Sequence, residues 1–218
     1  MKIELTTPFH VSVACVCLGF DGTSFHVLIA NRTVKKEDGT IEERLALPGG
    51  VVGMQEDLED TAKRVFSMFS ENRDTSLKQF KVFGQATRCT SNIVDRSELN
   101  HAFSGSNVDR LLCVAYVATV KISKEMEKEV KTIRSKWYPC HELPSLCFDH
   151  GDIVSESLFS LKKRLKSAPD FVYDLLDSEF TAAELRRLLE AIIGKKLDIR
   201  NFYKKVEARS YLVTTNKK

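Results

Sequence analysis

The chain has 218 residues, 43% hydrophobic and 29% charged, with a formal net charge of +3. This is ample length for one large domain or two small ones, with the ordinary composition of a soluble globular protein. No internal repeat or low-complexity segment stands out, no apolar run approaches a membrane span, and MKIELTTPFHVSV has no charged-then-apolar signal pattern. Six cysteines (Cys15, Cys17, Cys89, Cys113, Cys140 and Cys147) form no C-x-x-C pair and no dense framework. Most sit among apolar residues, which predicts reduced core thiols in a cytoplasmic protein rather than disulfides. The net charge conceals an asymmetry: residues 181–218 carry +6 and residues 1–180 carry −3. A basic end on an acidic body fits a polyanionic partner at that end, or a solubilising tail.

In chain order, His10–Phe20 and Ser24–Ala30 are short runs rich in Val, Cys, Leu and Phe, split by the hairpin signal Asp21-Gly22. Asn31–Arg44 is polar and contains Asp38-Gly39, so it reads as a flexible loop or as a turn joining strand extensions. Leu45–Pro48 leads into Gly49-Gly50. From Asp57 to about Ser70 the spacing is helical, with Leu58, Ala62, Val65, Phe66 and Phe69 on the apolar face. Further strands are predicted at Phe80–Thr87 and Leu111–Val120, and a short charged helix at Ser123–Lys131, before Trp137-Tyr138-Pro139 and a break at Leu143-Pro144.

Beyond Phe148 the period is helical throughout. Asp152–Lys166 is amphipathic, Ser167-Ala168-Pro169 interrupts it, and Phe171–Leu176 is a hydrophobic connector. Thr181 caps a second helix with Glu184 in the capping-box position, and Gly194 gives its C-terminal stop. Asp198 caps a third helix from Ile199 to about Arg209, with Ile199, Phe202 and Val206 on the expected buried side. Its other side presents Arg200, Asn201, Tyr203, Lys204, Lys205 and Arg209. Helix, short turn and basic helix is the layout of a helix-turn-helix, and equally of a helical hairpin with a solvated charged face. In the first case lysines neutralise phosphates, while Arg and Asn suit the edges of guanine and adenine.

Residues 49–72 hold the most specific pattern. Gly50, Glu56 and Arg64 keep the frame G-x5-E-x7-R of the Nudix box, whose continuation is Arg-Glu-U-x-Glu-Glu, where U is a bulky aliphatic residue. Here it reads Arg64-Val65-Phe66-Ser67-Met68-Phe69. Positions 65, 68 and 69 share a helix face by their i, i+3, i+4 spacing. Val65, Met68 and Phe69 give Mg²⁺ no oxygen there, and hydrolysis by this family depends on that hard cation. Glu56, Asp57, Glu59 and Asp60 remain as candidate metal ligands, or as simple complements to the helix dipole.

Together with LPGG at 47–50, FDH at 148–150 and FTAAELRRLLEAIIGKKLDIRNFYKKV at 180–206, this degenerate box resembles the Nudix-related transcriptional regulators (NrtR-like) over nearly the whole chain. The resemblance implies an α+β fold: an N-terminal Nudix-like α/β/α sandwich with a mixed sheet over residues 1–150, then a linker helix and a small winged helix-turn-helix over 151–218. It puts an effector pocket around Arg32, Gly49, Gly50, Glu56 and Arg64, and a recognition helix on Arg200, Asn201, Tyr203, Lys204 and Lys205. Arg32 also reads as an ordinary strand-end arginine, and Arg64 as the partner of Glu56 or Asp60 in a salt bridge. His150 reads as structural rather than as a catalytic base, and Asp95-Arg96 and Asp109-Arg110 receive no role.

Two departures from the family pattern stand out. After Tyr211–Thr215 the chain reaches Lys218 before a return strand, so the wing is expected to be truncated. Residues 33–43 and 88–110 differ near the presumed pocket, which leaves ADP-ribose-like nucleotides and free sugars both open as effector. The expected function is a ligand-responsive regulator binding a palindromic DNA operator as a homodimer, with no catalytic residue, no cofactor and no membrane. The alternatives are a divergent Nudix hydrolase using Mg²⁺ on the acids at 56–60, and an interaction module that has lost both activities.

Overall fold

The computed structural model describes residues 10–35, 39–68, 76–88, 108, 110–124, 126 and 135–207, and the statements that follow concern these. In chain order they form β1 (His10–Phe20), β2 (Phe25–Lys35), β3 (Ile41–Ala46), β4 (Gly49–Val51), α1 (Leu58–Ser67), β5 (Lys78–Phe83), β6 (Leu111–Lys121), β7 (Ser135–Pro139), α2 (His150–Ser167), a 3-10 turn (Pro169–Leu175), α3 (Ala182–Ile193) and α4 (Ile199–Glu207).

The seven strands make one mixed sheet with the central order β3-β2-β1-β6-β5. Strands β1 and β6 pair in parallel along their whole length, from His10 opposite Leu111 to Phe20 opposite Lys121. Both are near-continuous apolar runs, as strands covered on both faces must be. Alternate residues of β1 point to opposite sides. Val13, Cys15 and Cys17 join Ala62, Val65 and Phe66 of α1 in one core. Ala14, Val16, Leu18 and Phe20 face the other, which also takes in Ile153 and Leu161 of α2, Phe171 and Leu175 of the 3-10 turn, Leu185 and Leu188 of α3, and Phe202 of α4. Thus α2 closes the second face of the sandwich, and the last two helices extend the same apolar core. Cys15, Cys17, Cys113 and Cys147 are buried free thiols and Cys140 is half-buried, and burial pushes Cys15 up to about 12. No helix among the described residues is long and apolar enough to cross a membrane.

Of the two readings of residues 31–44, the described residues bear out the strand extensions: β2 and β3 pair from Ala30 opposite Ala46 to Lys35 opposite Ile41, and Gly39 has φ +84°. Other elements differ from the sequence expectation. Strand β7, unanticipated, pairs with His26–Ala30. It has five residues and ends on Pro139, too short for a clear alternation signal. Strand β5 stops at Phe83 instead of continuing to Thr87. The charged helix expected at Ser123–Lys131 lies mostly outside the described residues, as do Cys89, Asp95, Arg96, Asp109, Arg209 and the wing.

The C-terminal helices begin and end as their residues require. The Thr181 hydroxyl accepts the Glu184 N–H at 3.2 Å and the Glu184 carboxylate accepts the Thr181 N–H at 2.7 Å, a complete capping box. Gly194 closes α3 in the left-handed region at φ +76°, where a Cβ is costly. Replacing Thr181 by Ala removes one half of the box. The expected loss is about 1 kcal/mol, or roughly 2–4 °C in Tm for a chain of this size, measured by urea and thermal unfolding.

Candidate functional site

Strand β1 shares one edge between two partners. Leu18–Phe20 pair with Phe25–Val27 of β2, whereas Ser12–Ala14 pair with Gly49–Val51 of β4. The hand-over is held by the Cys15 N–H donating to the Pro48 carbonyl at 2.8 Å. Where the two partners part, they open a small cleft whose walls include Arg32, Gly49, Gly50, Arg88, Phe148 and His150. Both glycines are needed for close approach: a Cβ on Gly49 would lie 3.0 Å from the Val13 carbonyl, and one on Gly50 2.9 Å from Val65 Cγ2.

The FDH triplet supplies the far wall. Phe148 adopts φ +54°, an unusual conformation for a bulky residue, and its ring lies 5.5 Å from that of His150. Asp149 accepts from Arg88 Nε at 2.7 Å, and the Arg88 side chain is almost wholly buried. His150 Nδ1 accepts the Leu47 N–H at 3.0 Å, so the neutral ring carries its proton on Nε2. Burial, and then the charges of Arg88, Arg32 and Arg44, push its pKa down to about 3. Arg32 and Arg88 also line the cleft, the latter paired with Asp149. His150 is therefore held neutral as an acceptor, in keeping with a structural role. Sequence reasoning missed Arg88: it follows a short strand in a stretch without periodicity, and only its pairing with Asp149 brings it to the cleft.

Of the five expected pocket residues, Arg32, Gly49 and Gly50 line the cleft. Glu56 and Arg64 do not, because they satisfy each other. Arg64 Nη2 donates to Glu56 Oε2 at 2.7 Å and to the Val51 carbonyl at 3.1 Å, while Glu56 Oε2 also accepts the Gly53 N–H and the Thr61 hydroxyl, each at 3.1 Å. The Arg64 hydrogen bond, then that of Gly53, holds the Glu56 carboxyl down at about 2. The pair ties the loop between β4 and α1, as one of the two sequence readings of Arg64 has it.

The Mg²⁺ that a Nudix box holds does not fit here. Val65 is fully buried against Gly50, Met68 has no oxygen to offer, and the described residues contain no group of three His, Cys, Asp or Glu able to hold a metal. Phe69 lies outside the described residues.

At the other end of the molecule the turn between α3 and α4 is built around Glu190. Its carboxylate is buried and accepts the Leu197 N–H at 3.1 Å and Lys196 Nζ at 3.1 Å, and these bonds lower its pKa. Asp198 Oδ1 then accepts the Asn201 N–H at 2.8 Å and starts α4. Arg200, Asn201, Tyr203, Lys204 and Lys205 are all exposed, whereas Phe202 is buried. One expectation fails on this helix: Ile199 is not on the buried side but 55% exposed.

A neutral buried His150 links stability to pH. Its folded pKa is depressed below the unfolded value of about 6.5, so the unfolded chain binds the proton first. Stability is complete above about pH 6.5 and falls by roughly 1.4 kcal/mol per pH unit towards the folded pKa of about 3. Unfolding measured between pH 5 and 7 should show this slope, and His150→Asn should flatten it.

Residues 172–218 match the family model for the NrtR DNA-binding winged helix domain. No curated protein matches the chain. Among solved structures, that of Shewanella oneidensis NrtR is 20% identical with a TM-score of 0.65, covering 91% of this chain and 84% of that one. The same protein complexed with a 27mer DNA is 21% identical with a TM-score of 0.65, covering 90% and 82%. The Nudix domain of that protein complexed with ADP ribose is 18% identical with a TM-score of 0.50, covering 74% of this chain and 94% of that one. With its mixed sheet between helical layers, the chain shares the fold of these Nudix-containing structures, and its capped C-terminal helical pair falls within the residues that match the NrtR winged helix domain.

Proposed function

We propose that the chain is a ligand-responsive transcriptional regulator in which the cleft senses a small metabolite and α4 reads DNA. The observation that carries this reading is the cationic exposed face of α4, set on a turn that Glu190 and Asp198 fix, in one continuous core with the sheet that bears the cleft. Shewanella NrtR has been seen with DNA, and its Nudix domain with ADP ribose. The partners proposed for this chain are accordingly duplex DNA and an ADP-ribose-like nucleotide or sugar. It would act in the cytoplasm as a homodimer on a palindromic operator, with two α4 helices entering successive major grooves. Residues 1–150 then serve as the effector part and 151–218 as linker helix and DNA-binding part, the latter including Arg209. A pocket set of Arg32, Gly49 and Gly50, with Glu56 and Arg64 bracing the wall behind them, completes the reading.

Regulation needs only modest coupling. A ligand that favours one placement of α4 by about 1–3 kcal/mol shifts DNA affinity roughly 5–150-fold. The cleft is tested by calorimetric titration with ADP-ribose and pentoses, with and without Mg²⁺, analysing each mixture for products. Binding of an unaltered ligand, weakened tenfold or more by Arg32→Ala, is expected. Mg²⁺-dependent consumption of the ligand would favour a hydrolase instead.

The DNA face makes a separate prediction. On a selected operator, Arg200→Ala or Asn201→Ala should cost about 1–3 kcal/mol and relax sequence preference, while Lys204→Ala or Lys205→Ala should weaken all sequences alike and reduce the salt slope by about one. Equal losses on operator and random DNA for Arg200→Ala would sink base readout by that residue.

A further inference from the structure

Helix α4 carries an apolar stripe that the core does not use. Ile199 opens the helix at 55% exposure and Tyr203, one turn later, is 37% exposed, while Phe202 is buried on the other side. The turn explains why Ile199 faces outward. The Glu190 carboxylate holds the Leu197 N–H, Leu197 packs on the core, and Asp198 caps the helix, so the first helical side chain falls on the outer face. Around this stripe stand Arg200, Asn201, Lys204 and Lys205, all exposed, with Lys195 and Lys196 in the turn before it.

An apolar side chain set among cations calls for a partner that is anionic and yet offers apolar groups at the same place. A second copy of this face would bring like charges together. A lipid surface needs a broader apolar face than one isoleucine and one tyrosine on nine residues. The major groove of duplex DNA has both properties, since each thymine presents its C5 methyl beside the phosphate rows. The N-terminal residues of a groove-entering helix are those that reach base edges, which is where Ile199 stands.

We propose that Ile199, flanked by Tyr203, reads thymine in the DNA major groove through apolar contact with its C5 methyl group. This rests on the DNA-binding reading above and adds to it a specificity residue that basic and amide side chains cannot supply.

The test begins with selection of sites from random duplex DNA by the full chain and by Ile199→Ala. Each thymine of the selected site is then replaced in turn by uracil, which lacks only the methyl. For the wild type, one replacement per half-site should weaken binding about fourfold, as expected for returning one buried methyl group to water. The same replacement should leave Ile199→Ala binding unchanged, while replacements elsewhere affect both proteins equally. If no replacement discriminates the two proteins, or if both select the same site with the same affinity, the inference falls and DNA binding stands. If the wild type selects no site at all, the DNA-binding reading falls and takes this one with it. Loss of self-association by Ile199→Ala in sedimentation, or of binding to anionic phospholipid vesicles, without the uracil effect, would assign the stripe to another partner and overturn the proposal.

Discussion

The parallel pairing of β1 with β6 is the constraint on which the rest of the molecule depends. Eleven successive residue pairs lock the two apolar strands together in the middle of the sheet, so both of their faces must be covered. Helix α1 covers one. α2 and the 3-10 turn cover the other, and α3 and α4 add to the same apolar core from outside them. Because β1 has only one edge left, it divides that edge between β2 and β4, and the division creates the cleft. Central pairing thus accounts for the cleft and for the helical layer on which the last two helices build.

The two polar side chains of the degenerate box act mechanically. Glu56 and Arg64 bond to each other and to the backbone at Gly53 and Val51, which fixes the loop where the chain leaves the glycine strand. Val65, at a glutamate position of the catalytic motif, has become a core residue against Gly50. An acidic side chain there would be a buried unpaired charge, so the substitution for valine and the tight approach of α1 to β4 belong together.

Much of this was legible in the chain. Long apolar runs marked β1 and β6, Asp21-Gly22 marked the first hairpin, and Thr181 with Glu184 and Gly194 bounded α3, because each of these signals is local. Arg32, Gly49 and Gly50 were singled out through the family resemblance, and the structure places them beside one cleft. What escaped was non-local. Arg88 reaches the cleft only through Asp149, 61 residues away, and His150 only through the Leu47 N–H, 103 residues away. Ile199 fitted a helical period with Phe202 and Val206, but a period cannot say where the buried arc begins. The Glu190 clamp sets that origin, and nothing in the spacing of Glu190 and Leu197 announces a buried carboxylate.

The single apolar core that runs from the sheet to Phe202 also governs how the molecule comes apart. A small cluster such as α3 with α4 would fray independently if it were tethered by a flexible segment, but here Leu185, Leu188 and Phe202 belong to the same apolar cluster as the sheet and α2. Such continuity predicts that the cleft and the basic helix unfold together. Any small molecule held in the cleft lends its binding free energy by mass action to the folded helix-turn-helix at the far end.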